Sequence, residues 1–438
     1  MKKYDSYKDS GIEWLGEIPS HWKVKRLKYF ANVVLGKMLT PVDKGGYYLK
    51  PYLRAKNIEW RKVNVNDVKE MWFSEKDIEQ FKICKNDLLV SEGGEVGRTS
   101  IWNEELEECY IQNSVHKVSM YSNESPLFFL NQFILFGTKG HFDAIVNRIS
   151  IAHLTKQKLN DVSFIYPPLK EQTQIANYLD HKTAQIDTLI NNKEKLITLL
   201  KEERTAVINQ AVTKGLDPNV PMKDSGIEWL GEIPEHWILS KVKTVTDKIG
   251  SGVTPRGGAE VYKTSGIPLL RSQNVYFDGF RLNNVAYITK EIHDSMNNSK
   301  VFKGDVLLNI TGGSIGRCFF VSDEFEEANV NQHVCILRPN EKIGTEFLNY
   351  IMSSRIGQLQ IDLCQTGGNR EAVNFEDLKN FFLPLPTPEE QIKILQLVNL
   401  KTQKSIETIR KTEQEIELLK EYKTALISEV VTGKVKVF

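Results

Sequence analysis

At 438 residues the chain is too long for one ordinary core and should divide into about two to four domains. Its formal charge of +1 argues against a non-specific nucleic-acid binder, a class that is basic overall, but a basic face offset by acidic helices elsewhere is compatible with it. The five cysteines form no CxxC pair and the eight histidines show no ligand spacing, so a reduced, cytoplasmic protein without metal or other cofactor is expected. No signal peptide opens the chain and no run of about 18 apolar residues marks a membrane span.

Lys8 to Trp22 reads KDSGIEWLGEIPSHW and Lys223 to Trp237 reads KDSGIEWLGEIPEHW, with Ser20 against Glu235 the single difference. Chance does not produce such a match, so the chain is a tandem duplication. The offset is 215 residues at this motif but 219 between Gly97 and Gly316, Gln172 and Gln391, and Thr213 and Thr432, which places the net insertion between Trp237 and Gly316. Trp14, Trp22, Trp229 and Trp237, identically placed with Pro19 and Pro234, read as packing anchors.

Beyond the motif the copies share only scattered marks. Leu53-Arg54-Ala55-Lys56-Asn57 answers Leu270-Arg271-Ser272-Gln273-Asn274 in a β-prone context. Arg54, Lys56, Asn57, Arg271, Gln273 and Asn274 are candidate DNA contacts, because Arg, Lys, Gln and Asn can meet guanine or adenine edges in the major groove. GGEVGR (Gly93 to Arg98) answers GGSIGR (Gly312 to Arg317). Neither loop continues as a P-loop or a dinucleotide fingerprint, so each is expected to be a glycine turn, with Arg98 and Arg317 as candidate phosphate contacts. Two polar loops that differ from their counterparts, Thr254 to Lys263 with Arg256 and Gln365 to Arg370 with Asn369 and Arg370, are the expected places of base readout. Leu127 to Phe136, interrupted by Asn131 and Gln132, reads as a core helix.

Pro167-Pro168-Leu169 invites comparison with the Asn/Asp-Pro-Pro-aromatic loop of amino-methyltransferases. Tyr166 and Leu169 break that pattern at both ends, and these prolines are expected to end a strand and start a helix.

From Lys170 to Gly215 the apolar residues Ile175, Leu179, Ile186, Leu189, Ile190, Leu196, Ile197, Leu200, Val207, Ile208 and Ala211 recur mostly at three- and four-residue steps. Glu389 to Gly433 repeats the pattern with Leu395, Val398, Ile406, Ile409, Ile416, Leu419, Leu426, Ile427 and Val430. About 40 proline-free residues make a rod of about 60 Å. Such a stripe needs a partner, and the other copy is the expected one, giving an intramolecular coiled coil.

This order of variable domain, long helix, repeated GIEWLGEIPxHW motif, second variable domain and second long helix resembles the specificity subunit of type I restriction-modification systems. The resemblance covers essentially the whole chain, and its strongest marks are Gly11 to Trp22, Gly226 to Trp237, and the helix starts at Pro167 to Gln172 and Pro386 to Gln391. It implies an α+β, pseudo-two-fold tandem repeat with two β-rich target-recognition domains, at 1–166 and 216–385. Between them stand two long antiparallel helices, the spacers at 167–215 and 386–438. It further implies a non-catalytic subunit that reads a bipartite, asymmetric double-stranded DNA site. Two modification subunits that bind S-adenosylmethionine would dock on it, together with ATP-dependent restriction subunits. Two other classes stay open at this level, a methyltransferase or nuclease half and a coiled-coil adaptor for protein.

Overall fold

The repeated motif folds the same way twice. In the computed structural model, which describes residues 2–121, 124–146, 153–323, 325–365 and 372–438, Tyr7–Asp9 pairs antiparallel with Glu17–Pro19, and Met222–Asp224 with Glu232–Pro234 in the corresponding register. Asp9 Oδ1 accepts from the Gly11 amide at 2.9 Å, and Asp224 Oδ1 from that of Gly226 at 2.9 Å, closing an Asx turn in each copy. The glycines that follow sit at φ +74° and +72°, which accounts for a glycine at this place in both copies.

The chain gathers into two compact units, Met1–Lys193 with Gln414–Phe438, and Glu194–Glu413. Each holds one β-rich lobe and a length of both long helices. In the first unit an antiparallel sheet runs Ala31–Leu35, Val115–Met120, Leu88–Ser91, Thr99–Ile101. A second sheet sets Tyr48–Leu53 between Lys69–Phe73 and the parallel strand Tyr110–Ile111. In the second unit Thr246–Ser251, Val334–Pro339, Val306–Asn309 and Cys318–Phe320 repeat the first arrangement. There Ile267–Leu270 lies between Ala286–Ile288 and Ala328–Val330, the latter parallel to it. The central strands Leu88–Ser91 and Val306–Asn309 are buried along their whole length, which explains their unbroken apolar runs.

The apolar stretch around Leu127 is a core helix, Pro126–Thr138, with Ser125 as N-cap and proline at its first turn. Phe128, Phe129, Phe133 and Phe136 are fully buried, and Phe129 stacks on Phe30 at 4.6 Å. Gln132, also buried, bridges both backbone groups of Ile165, at 2.7 and 2.8 Å. The polar interruption is therefore a staple to the strand Ser163–Tyr166, which ends just before Pro167.

The long helices are Leu169–Lys214 and Pro388–Val431, of 46 and 44 residues. In the first unit Asp187 pairs with Lys423, and Lys193 with Glu415. In the second, Lys201 meets Glu413 and Glu203 meets Ser405. Numbers rise on one helix as they fall on the other, so the pairing is antiparallel in both units. Along these helices Ile175, Leu179, Ile186, Ile190, Ile416, Leu426 and Val430 are buried in the first unit and Ile197, Ile208, Ile394 and Val398 in the second, the last three within the lobe core that holds Trp237. Thr183, Thr402 and Thr412 are buried as well. Leu189, Leu196 and Ile406, expected in the stripe, are 41–46% exposed: a 3.6-residue turn drifts against a seven-residue repeat, and these positions leave the seam.

Of the motif tryptophans, Trp22 and Trp237 anchor each lobe to a helix start, while Trp14 is 37% exposed and packs edge-on to Phe136. Trp22 Nε1 donates to Glu171 Oε2 at 2.9 Å while His21 Nε2 meets Glu171 Oε1 at 2.7 Å. Trp237 and His236 repeat this on Glu390, at 3.0 and 2.9 Å. Both rings are fully buried. The next residue laces the same helix start to its lobe. Gln172 accepts from the Ser125 amide at 3.1 Å and donates to Pro167 O at 3.0 Å; Gln391 accepts from Gly344 at 2.8 Å and donates to Pro386 O at 3.1 Å. The glutamate of the Glu-Gln pair shared by both helix starts thus receives the motif, and the glutamine ties the same helix start to the rest of the lobe.

Candidate nucleic-acid interface

In both lobes a strand runs into a one-turn 3-10 helix, Ala55–Asn57 after Tyr48–Leu53 and Ser272–Asn274 after Ile267–Leu270. The asparagine closing each turn is what makes it. Asn57 Oδ1 accepts from the Arg54 amide at 3.0 Å, and its Nδ2 donates to Asn64 O and Asp67 O at 2.9 and 3.1 Å. Asn274 accepts from the Arg271 amide at 3.0 Å and donates to Arg281 O at 2.7 Å. At 1% and 2% exposure Asn57 and Asn274 are buried, and their amides shape the turn.

The cations around this turn differ between lobes. In the first, Arg54 Nη2 donates to Asp67 O and Oδ2 at 2.9 and 3.1 Å, and Lys56 pairs with the same carboxylate. The hydrogen bonds from Lys56 and then Arg54 hold the Asp67 carboxyl below its usual range. Arg98 is bound on both sides, Nη1 to Glu95 Oε2 at 3.2 Å and Nη2 to Ala55 O at 2.9 Å. The first lobe therefore neutralises its own cations.

In the second lobe the carbonyl corresponding to Ala55 O, that of Ser272, is bound instead by Asn309 Nδ2 at 2.8 Å. That leaves Arg317 free of the task Arg98 performs, and its guanidinium lies over the Tyr276 ring at 4.6 Å. Arg281 covers the same ring at 4.8 Å and takes Asp278 in an ion pair. Arg271 donates to Asn284 O at 3.0 Å and lies 5.6 Å from the Tyr262 ring. No carboxylate among the described residues pairs with Arg271 or Arg317. Gln273 and Arg256 are exposed. The structure thus gathers Arg271, Gln273 and Arg317 around one turn, as it gathers Arg54, Lys56 and Arg98, while Arg256 stands on a separate loop. Asn369 and Arg370 lie outside the described residues.

Sequence reasoning missed Tyr262, Tyr276, Arg281 and Asn309. The first three lie where the copies diverge and carry no shared mark. Asn309 was detectable, since it occupies the place of Ser91 at the end of the buried strand before each glycine loop. Among the described residues no three His, Cys, Asp or Glu side chains are placed to share a metal ion, and no helix is long and apolar enough to cross a membrane.

A duplicated frame carrying one turn, with unlike side chains around it, defines a two-headed recognition protein. Residues 19–199 and 234–418 each match the family of the type I restriction modification DNA specificity domain, and the chain belongs to that family. It is 30% identical over 331 residues to the type I restriction enzyme EcoBI specificity subunit of Escherichia coli, covering 73% of this chain and 67% of that one. It is 26% identical over 435 residues to the MjaVIII specificity subunit of Methanocaldococcus jannaschii, covering 96% and 94%. Among solved structures, a chain from work on complex assembly and conformational transition of the type I R-M system shares the fold. Its TM-score is 0.69 at 16% identity, over 95% of this chain and 99% of that one.

Proposed function

We propose that this chain is the DNA-reading subunit of a type I restriction-modification complex and performs no chemistry itself. The target-recognition domains are residues 1–166 and 216–385, and each reads one half of a split, asymmetric site. The spacers at 167–215 and 386–438 set the gap between the halves. Arg54, Lys56, Arg98, Arg256, Arg271, Gln273 and Arg317, with Asn369 and Arg370, contact the DNA. The observation that supports this best is the shared turn with unlike cations around it, since a common frame carrying different side chains suits two different half-sites.

Two modification subunits carrying S-adenosylmethionine, which methylate adenine N6, dock on the paired helices, and ATP-dependent restriction subunits join them. In support, the helices keep large apolar side chains outside their seam: Leu418 and Tyr422 in the first unit, Leu199 and Leu400 in the second, all at least half exposed. A map of methylated adenines in a host with and without this gene and its modification subunit tests the reading. A split motif that appears only with the gene is expected, and no new motif refutes it. Purified alone, the chain should transfer no labelled methyl group to DNA.

A further inference from the structure

The turn described above continues into a short hairpin that the two lobes use in opposite ways. In the first lobe Ile58 bridges Val63, and in the second Val275 pairs with Phe280, so the hairpins have one length and one register. In the first lobe the tip faces the protein. Trp60 Nε1 donates to Glu95 at 2.6 Å, its ring occupies the space beside Gly137 that a Cβ would fill, and the Arg61 guanidinium bonds Asn131. In the second lobe the tip faces outward. Tyr276 pairs with Gly279 across a two-residue turn, and Gly279 at φ +134° takes a conformation that side chains rarely adopt. Phe277, at the tip, is 43% exposed. Behind it the guanidiniums of Arg281 and Arg317 both lie over the Tyr276 ring.

We infer that the Val275–Phe280 hairpin is a DNA-contacting element of the second lobe: Phe277 packs against a base in its half-site while Arg317 and Arg281 meet the flanking phosphates. The inference rests on the DNA-reading function proposed above and adds to it an apolar contact that the first lobe lacks. Charge complementarity selects the occupant. Three guanidiniums, those of Arg271, Arg281 and Arg317, stand around the hairpin, and among the described residues a single carboxylate, that of Asp278, pairs with them. An exposed aromatic on a tight turn, beside guanidiniums of which those of Arg271 and Arg317 have no carboxylate partner among the described residues, suits a polyanion with apolar faces, and duplex DNA offers both phosphates and base surfaces. Tyr276 holds the guanidiniums in place without neutralising them.

The test uses the full chain with its modification subunits. Adenine-methylation maps from hosts carrying wild type, Phe277→Ala and Arg317→Ala are compared, and the purified complexes are titrated on a duplex bearing the mapped motif. Phe277→Ala, with an unchanged melting midpoint, should lose about tenfold discrimination at one or two adjacent positions of one half-site and leave the other half intact. Arg317→Ala should weaken binding whatever the sequence and lower the salt slope by about 1. If wild type methylates a split motif and both variants match it at each half-site and in salt slope, the hairpin inference fails and the DNA-reading function stands. Equal loss at both half-sites also overturns it. If wild type gives no split motif, the DNA-reading function fails, and the hairpin inference with it.

Discussion

Asp87 and Asp305 occupy the same place in the two lobes, each accepting a backbone amide three residues upstream at 2.7 Å. Asp305 also receives two guanidinium bonds from Arg338, at 2.7 and 2.9 Å. Among the described residues Asp87 has in that place the Ser119 hydroxyl, at 2.5 Å, and the Lys117 charge, and burial still pushes its carboxyl up. Removing the two charges should therefore have unequal effects. Asp305→Asn leaves a partly buried guanidinium unpaired and should cost about 3 kcal/mol, whereas Asp87→Asn removes a charge that burial already disfavours and should cost about 1 kcal/mol or less. Urea unfolding of both variants at pH 7 checks the order, and equal losses would refute it.

His116 is fully buried, its Nε2 against Leu154 O at 2.6 Å, and its Nδ1 has no partner among the described residues. Burial lowers its pKa from 6.5 to about 4. Between those values the unfolded chain takes a proton that the folded lobe refuses, so the His116 contribution is intact above pH 6.5 and is lost as pH falls toward 4. The loss from pH 7 to pH 5 should be about 2 kcal/mol. His116→Gln keeps a donor for Leu154 and removes the titration, and the difference in acid slope between the two proteins isolates His116 from Asp87, whose slope has the opposite sign. Trp14, Trp22, Trp60, Trp72 and Trp102, five of the seven tryptophans, belong to the first unit, so fluorescence follows the relevant lobe.

At the scale of elements, Trp22 and Trp237 each touch the start of one long helix and the end of the other. In the first unit Trp22 binds Glu171 and packs beside Gly433, which follows Pro388–Val431; in the second Trp237 binds Glu390 and packs beside Gly215, which follows Leu169–Lys214. Gly433 sits at φ +74°, and a Cβ there would lie 2.5 Å from Pro19 and 2.9 Å from Trp22. Gly11 has the same φ and open space around it. Gly11→Ala should therefore cost only the left-handed backbone penalty, about 1 to 2 kcal/mol, and Gly433→Ala should cost that plus the displacement of a packed ring, about 3 kcal/mol or more. Melting midpoints of the two variants decide it, and equal shifts would mean that this helix end does not bear on Trp22.

At the scale of the whole molecule, what could be read beforehand followed from repetition. Fifteen-residue motifs, the shared Glu-Gln helix starts and two periodic stripes specify a duplicated frame, because packing constrains residue type at the buried positions among them, such as Ile18, Trp22, Ile233 and Trp237. The candidate site was less legible. Asn57 and Asn274 carry an amide that serves a turn as well as a base edge, and only burial separates the uses. Arg98 and Arg317 look equivalent in sequence, yet one residue elsewhere, Asn309 in place of Ser91, decides that the first is tied down and the second is not.

The same repetition makes a prediction about chain connectivity. In the first unit residues near the two limits of the sequence meet: Lys436 donates its amide to Lys2 O at 2.8 Å, and Tyr4 packs edge-on to Phe438 at 6.2 Å. In the second unit the corresponding region, after Gly215 and before Met222–Asp224, is a continuous link whose residues Asp217, Pro218 and Asn219 are exposed. Residues 2–4 and 436–438 thus take, in the first unit, the place that the continuous link takes in the second. A permuted protein that begins at Asn219, ends at Pro218 and joins Phe438 to Lys2 through a short Gly-Ser linker should fold with a melting midpoint within a few degrees of the parent, because the cut removes no buried contact and the linker spans ends that already touch. It should also give the same methylation map in the host. A permuted chain that is unfolded, or that methylates a different motif, would show that the termini or the central link carry a role the duplicated frame does not share.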